Sequence, residues 1–302
     1  MKANETFYYI FYFHLNFFYI LLVIIYKIMN IISISFRFIT LHLLIGIISI
    51  WILLKVRNKP GYLPKDDEKE KIERKVSGEK IEIANFEPCP ILYLNLMPSN
   101  GCEKCHIETL PLRSHHCSIC QRCVKTYDHH SFLLAGCVGE NNRLKFIIYL
   151  FFQNLTIISN CYGIYKIMNL QITEKLIYFY NSMFFVMVFF FIIFLCLFSF
   201  HLFLLFTNQT TYELYNEEQC PYLSIFALER SKILNERGII IDYEKINFKP
   251  FDIGILRNIT LFFDKILNEN SEIKWKEIYF ENLKSTSIFK KDLHFFIKLS
   301  II

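Results

Sequence analysis

The chain has 302 residues, 53% of them hydrophobic and 17% aromatic, with a mean hydropathy of +0.30 and a formal net charge of +5. That hydropathy is too high for an ordinary soluble globule and points to membrane spans. The basic residues are mixed with acidic ones and form no separate patch, so no nucleic-acid partner is expected; a basic membrane-facing surface is the plainer account.

From about Phe7 to Tyr26 runs an apolar stretch near the ~20 residues that a bilayer core requires. It has no basic n-region and no small-residue cleavage site, and a second apolar run follows from about Ser33 to Leu54. A retained span is therefore expected rather than a signal peptide. Lys27 and Asn30 lie in the short connector, and the two runs read as a helical hairpin through the membrane. Arg37 and His42 fall in or near the second run, where snorkelling toward the interface accounts for Arg37.

After Leu54 the character changes. Lys55, Arg57 and Lys59 flank the span, and Pro60-Gly61-Tyr62-Leu63-Pro64 breaks any helix. The mixed-charge stretch that follows reads as a solvated linker. Between Ile81 and Leu96 a weak alternation, with Cys89 between two prolines, suggests short extended pieces. Then comes the most informative segment. Six of the ten cysteines, Cys102, Cys105, Cys117, Cys120, Cys123 and Cys137, fall within it, interleaved with His116 and His130. Each C-x-x-C doublet is the two-prong half of a tetrahedral zinc site, and eight potential ligands suit two ions. Thiol ligands need a reducing compartment, so this block is expected to face the cytosol.

A third apolar run extends from about Phe146 to Met168 and a fourth from about Leu176 to Phe206. Lys55 and Arg57 bound the cysteine-bearing loop at one end, Arg143 and Lys145 at the other. Basic residues close to the spans place that loop, and both termini, on the cytosolic side. The expected fold is mainly α: a multi-pass membrane protein with four transmembrane helices and a small zinc-stabilised cytosolic domain between the second and third. The expected divisions are helices 1 and 2 in 1–54, a charged linker in 55–96, the cysteine-rich domain in 97–145, helices 3 and 4 in 146–207, and a cytosolic tail in 208–302. In the tail, Thr210-Thr211-Tyr212-Glu213 looks like a helix cap, and Asn258 like a surface or turn residue.

The order Cys-x-x-Cys, Pro111-x-Arg113, His116-Cys117-x-x-Cys120-x-x-Cys123, Asp128-His129-His130, Cys137-Val138-Gly139, Asn142 and Phe146 resembles the cysteine-rich domain of the DHHC protein S-acyltransferases, or palmitoyltransferases. The resemblance reaches from about Pro60 to Phe263. Pro60-Gly61 sits where that family has Asp-Pro-Gly, with Lys59 in place of Asp. Thr210-Thr211-Tyr212-Glu213 is similar to its Thr-Thr-x-Glu motif, and Asp252-x-Gly254 with Asn258 to its C-terminal contact motif. The resemblance implies one structural Zn2+ on Cys102, Cys105, His116 and Cys123 and another on Cys117, Cys120, His130 and Cys137. It implies a role for Thr210, Thr211, Glu213 and Asn258 in binding the acyl-CoA substrate, for which palmitoyl-CoA is the type.

The implied chemistry is transfer of a long acyl chain from acyl-CoA, through a covalent enzyme intermediate, to juxtamembrane cysteines of client proteins. His129 is the implied base, Asp128 its orienter, and Ser131 stands at the nucleophile position, with Phe132-Leu133 where the family has Pro-Trp. A serine hydroxyl ionises far less readily than a thiol and depends heavily on its base. An acyl chain on Ser131 would be an oxygen ester, and passing it to a cysteine would run uphill. Two other readings stand beside this one: acyl transfer through another cysteine such as Cys89 or Cys220, and a catalytically inactive relative that binds acyl-CoA or client proteins. A RING-like ubiquitin ligase is disfavoured by the ligand order, which lacks a final C-x-x-C pair.

Overall fold

In the computed structural model the described residues are 36–64, 101–169, 174–236, 249–268 and 271–284, apart from 109 and 272. The expected first span, Phe7 to Tyr26, and Cys89 lie outside them. In chain order the elements are helix α1 (Phe36–Asn58), strands β1 (His115–Cys117), β2 (Arg122–Val124), β3 (His129–Ser131) and β4 (Gly136–Val138), then helices α2 (Arg143–Met168) and α3 (Glu174–Phe206). Four shorter helices follow: α4 (Thr211–Tyr215), α5 (Pro221–Glu236), α6 (Ile255–Leu267) and α7 (Trp275–Lys284). The strands form two two-stranded sheets, β1 with β2 and β3 with β4. The described residues fall into two compact units, 36–60 with 130–203 and 61–129 with 204–284.

The first unit is built on helices. Three segments are long and apolar enough to cross a membrane, by length and composition: Ile39–Arg57, Arg143–Met168 and Ile177–Phe206. Its core joins Ile52, Leu53 and Val56 of α1 to Phe146, Tyr149 and Leu150 of α2, with Leu134 and Val138 beneath them. Polar side chains also cross from α1 to α2. Ser49 donates to the Gln153 amide oxygen at 3.3 Å, and His42 is bonded to Ser159. Such pairs join helices where no water is available to satisfy them. His42, on the second apolar run, is thus a buried helix–helix contact. On α3, Tyr178, Phe185, Phe189, Ile192 and Phe203 point outward, as lipid-facing side chains do.

Helix α1 stops at Asn58, because Pro60 disfavours helical backbone in the residue before it. Helix α2 begins at Arg143, earlier than the apolar run that starts at Phe146. The reason lies in Asn142. Its amide donates to the carbonyls of Val56 (2.8 Å) and Cys137 (2.9 Å), and its oxygen accepts the Gly139 N–H at 2.8 Å. This one buried side chain ties the end of α1, strand β4 and the start of α2 together, so the helix starts where Asn142 is anchored.

The second unit carries the cysteine knuckles and the C-terminal helices. Strand β1 pairs antiparallel with β2 in the register His115↔Val124, His116↔Cys123, Cys117↔Arg122. Residues 61–63 extend this ladder: the Leu63 N–H donates to Cys123 and the Lys125 N–H to Gly61, both at 2.9 Å. Gly61 takes φ +98°, a conformation that glycine reaches without steric cost. The first knuckle closes through Cys102 N–H to Ile107 O (2.7 Å) and Ile107 N–H to Cys102 O (3.1 Å). A Cβ at Gly101 would lie 2.4 Å from the Glu108 carbonyl oxygen, so only glycine fits there.

The hub of this unit is Arg113. Its guanidinium is fully buried, donating to both Glu213 carboxylate oxygens at 2.7 Å and to Asn208 through Oδ1 (3.1 Å) and the backbone carbonyl (2.9 Å). Its flat faces stack on Phe251, at 4.1 Å, and Trp275, at 4.4 Å. A planar five-donor fork suits this place, where an ammonium would leave the second oxygen unmatched. Phe226, Phe251, Phe262, Trp275 and Tyr279 form the surrounding aromatic core.

Candidate functional site

The hairpin β1–β2 and the first knuckle bring Cys102, Cys105, His116 and Cys123 together, with one ligand atom from each within 4.8 Å of the others. From His116 Nδ1 the thiol sulfurs lie at 3.5 Å (Cys102), 3.3 Å (Cys105) and 3.8 Å (Cys123). A tetrahedron with bonds of about 2.0–2.3 Å has edges of roughly 3.5 Å, so the spacing matches a four-coordinate zinc site. The electrostatics agree. Burial, with the hydrogen bonds and charges of Cys102 and Cys105, pushes the Cys123 thiol well above its usual range. A thiol that resists ionising on its own becomes a good ligand when a divalent cation supplies the missing charge.

The other four expected ligands form two local pairs, one in each unit. In the second unit the Cys120 N–H points at Cys117 Sγ at 3.4 Å, an arrangement that prepares a knuckle for metal, and the Tyr62 hydroxyl lies 3.4 Å from Cys120 Sγ. The knuckle turns through Gln121, with its N–H on the Cys117 carbonyl at 2.8 Å. In the first unit Cys137 Sγ lies 3.8 Å from His130 Nδ1.

Asp128 is buried and receives three hydrogen bonds. The Thr211 N–H reaches Oδ1 at 2.9 Å, the Thr211 hydroxyl reaches Oδ2 at 2.9 Å, and His129 Nδ1 lies 2.7 Å from Oδ2. The Asp128 side chain is fully sheltered, while that of His129 is 26% exposed. A carboxylate held from one side by Thr211 orients the imidazole and selects the tautomer with its proton on Nδ1. Ser131 is buried in strand β3, two residues beyond His129.

Thr211 is placed by a capping box. Thr210 accepts the Glu213 N–H at 3.1 Å, and the Glu213 carboxylate accepts the Thr210 N–H at 2.8 Å. Glu213 therefore serves both the helix start and Arg113, and the Tyr222 hydroxyl also donates to it at 2.9 Å. Burial pushes its carboxyl up, but the Arg113 charge and these hydrogen bonds outweigh it and hold the pKa below the usual range. Asn258 is fully buried: its amide donates to the Phe206 carbonyl (2.6 Å) and to Asp252 (2.7 Å), and its oxygen accepts the Ile253 N–H (3.1 Å).

Thr210, Thr211, Glu213 and Asn258 are each engaged by protein groups and help to hold the segment around Asp128 in place. The reading of Thr210 as a cap is right, and that of Asn258 as a surface residue is not. Cys220, an alternative nucleophile, is fully buried; burial, partly countered by Tyr222, pushes its thiol to about 11. Its neighbour His115, with Nε2 at 4.0 Å, is pushed down to about 4 by burial. That pair is not poised for attack. Arg113 and Asn208 are the residues that sequence reasoning missed. Pro111-x-Arg113 was visible as a pattern, but nothing in the sequence says that its partner lies a hundred residues on.

A family model described as DHHC palmitoyltransferase matches residues 95–218. A Dictyostelium discoideum protein named as ZDHHC-type palmitoyltransferase 7 is 35% identical over 177 residues, which cover 53% of this chain and 34% of that protein. Palmitoyltransferase SWF1 of Saccharomyces cerevisiae is 40% identical over 81 residues, covering 27% of this chain and 23% of its own. Palmitoyltransferase ZDHHC3-A of Danio rerio is 34% identical over 90 residues, covering 30% and 23%. The chain thus spans about a third or less of the length of these relatives. The cysteine knuckles, the Asp128–His129 pair and the Thr210–Glu213 cap all fall inside the matched stretch, so it is over residues 95–218 that the chain is similar to the DHHC palmitoyltransferase family.

Proposed function

We propose that the protein is a multi-pass membrane acyltransferase that takes a long acyl chain from acyl-CoA and passes it to client proteins at the membrane surface, through an ester on Ser131. The observation that carries this reading is the fixed carboxylate of Asp128. Thr211 holds it with two donors, and it holds His129 by Nδ1. An imidazole oriented in this way by a carboxylate is the arrangement a general base needs. Ser131 lies two residues beyond His129 along β3.

Two structural zinc ions belong to the proposal, one on Cys102, Cys105, His116 and Cys123, the other on Cys117, Cys120, His130 and Cys137. The family resemblance and the local geometry within each unit support it. Both would be closed four-ligand sites that hold the segment in shape and bring no water to the reaction. Four spans, with residues 7–26 as the first, and a cytosolic position for both termini and the cysteine-rich segment complete the reading. Lys55, Arg57, Arg143 and Lys145 beside the spans support that orientation. The family's acceptors imply clients with cysteines near the membrane.

A second reading is a binding-only relative, favoured by the hydroxyl at position 131. Incubation of the purified full chain with labelled palmitoyl-CoA, followed by neutral hydroxylamine, separates the two. The proposal expects label that resists hydroxylamine and disappears in Ser131→Ala. No label means binding without transfer, and labile label means that a cysteine carries the chain.

A further inference from the structure

We infer that helix α6 is a lipid seat: it lies along the bilayer surface where α3 ends, with an exposed apolar arc resting on the lipid. The inference rests on the reading of α3 as a membrane span and not on any acyl transfer.

At about 100° of turn per residue the side chains of α6 fall into three sectors. Asn258, Phe262 and Lys265 share one sector, and all three are buried. Beside it lie Ile255, Leu256, Ile259, Phe263 and Leu267. Leu256 is 79% exposed and Leu267 83%, with Ile255 and Phe263 close to half exposed. The third sector holds Arg257, Thr260 and Asp264, polar and exposed. A helix on the surface of a soluble domain needs two sectors, apolar toward the core and polar toward water. A second apolar sector, turned away from the core, needs a second non-aqueous neighbour. A helix lying in a lipid interface has three neighbours: protein, lipid and water.

The direction of the arc is fixed by the buried sector. Phe262 packs on Trp275 with ring centroids 6.3 Å apart, Lys265 is bonded to the Ser271 carbonyl, and Asn258 holds Asp252 and the Ile253 N–H. Rolling the arc inward would strip partners from two buried polar side chains, which costs more than the exposed arc does.

Position names lipid as the occupant. The Asn258 amide donates at 2.6 Å to the carbonyl of Phe206, the last residue of the candidate span Ile177–Phe206. Two residues beyond that span, the Asn208 amide donates to the Phe251 carbonyl at 2.8 Å. The last turn of α3, from Leu204 onward, lies in the same compact unit as α6. A helix tied by one hydrogen bond to the end of a span sits at the depth where bilayer gives way to water. The charged side chains exposed on α6 are Arg257 and Asp264, one of each sign, so the contact is apolar and zwitterionic lipid suffices for it.

The test places the full chain, one copy per disc, in phosphatidylcholine nanodiscs. A small fluorescent amino acid is introduced at one position at a time, and lipids with a nitroxide near the headgroup serve as quencher. Positions 256, 263 and 267 should lose most of their emission, and positions 260 and 264 little, without any anionic lipid. A label at position 192, on the exposed side of α3, with a nitroxide deep in the acyl chain, reports the span itself. Emission kept at 192 overturns the span and the seat together. Emission lost at 192 but kept at 256, 263 and 267, or lost equally at 260 and 264, overturns the seat and leaves the span standing. A blue-shifted label at 256 that the nitroxide does not reach means that protein, such as the chain's own residues 285–302, covers the arc, and this also overturns the seat. A second measurement uses Leu256→Gln with Leu267→Gln, which leaves the buried sector intact while the spans keep the chain in the disc. Amide exchange across 255–267 should rise roughly tenfold, and unchanged exchange would mean that lipid does not hold the helix.

Discussion

Substituting Glu213 by Gln keeps the size and most of the hydrogen-bonding shape of the side chain but removes its charge. The Arg113 guanidinium opposite has a side-chain exposure of 0%, and Glu213 one of 2%, so water cannot take over as the partner. Two N–H donors 2.7 Å from the carboxylate oxygens would face a neutral amide, one of whose ends is itself a donor. Removing one member of a buried pair costs about 3–5 kcal/mol, because the surviving charge is stranded. Replacing both by neutral groups of similar volume, Arg113→Met with Glu213→Gln, should recover most of that loss, although the stacking on Phe251 and Trp275 changes character. Trp275 stacks on the guanidinium 4.4 Å away, so its emission reports the pair directly once Trp51 is made Phe. The assay is thermal or urea unfolding of the second unit in the full detergent-solubilised chain, followed by Trp275 fluorescence and amide exchange across residues 208–216. The pair also has a pH signature. The Glu213 carboxyl lies below its unfolded value, so its contribution is present above that value, about 4.3, and drains away as pH falls through the folded value. Glu213→Gln should therefore flatten the acid limb of the stability profile. If the single variant cost under about 1 kcal/mol, or the double variant were no more stable than the single, the pair would not be the hub assigned here.

Three further outcomes follow from the same contacts. Chelating zinc should expose the 101–128 segment to protease while the apolar helices α1, α2 and α3 keep their helical signal, because the knuckles have small cores of their own. Thr211→Val removes the hydroxyl bond to Asp128 but keeps the backbone one, so acyl loading should fall roughly tenfold to hundredfold with melting little changed. Asn142→Ala strips three hydrogen bonds from the junction of α1, β4 and α2, and should cost about 2–4 kcal/mol in detergent unfolding followed by circular dichroism.

The cysteine spacing was legible because zinc imposes it: C-x-x-C is the shortest turn that aims two sulfurs at one ion, and interposed histidines complete the set. The apolar runs were legible for a similar reason, since a bilayer of fixed thickness demands a minimum length. The ends of those runs were not. Helix α2 starts three residues before its apolar stretch because Asn142 anchors it, and an asparagine carries no hydropathy signal for what its amide will reach. The partners of Glu213 were not legible for a related reason. From the sequence, an acidic residue beside a threonine pair can serve a ligand, a cap or an ion pair. The fold, which brings Arg113 across a hundred residues, shows the last two.

The contrast between the mount and the nucleophile explains how such a chain can persist with serine at position 131. The chain of contacts behind Asp128 runs through buried side chains: Thr211 on Asp128, Thr210 and Glu213 in the cap, Arg113 on Glu213, Asn208 on Arg113. Loss of any one strands buried polar groups and is felt by the fold. Position 131 differs from a cysteine by a single atom, oxygen for sulfur, on a sheltered strand. That exchange barely alters packing, yet it changes the chemistry the position can offer, because a hydroxyl ionises far less readily than a thiol. Stability therefore places little constraint on this position. Ser131→Cys should accordingly leave thermal unfolding unchanged while turning the label taken from palmitoyl-CoA hydroxylamine-labile; a shifted unfolding midpoint would refute the claim that packing ignores the exchange.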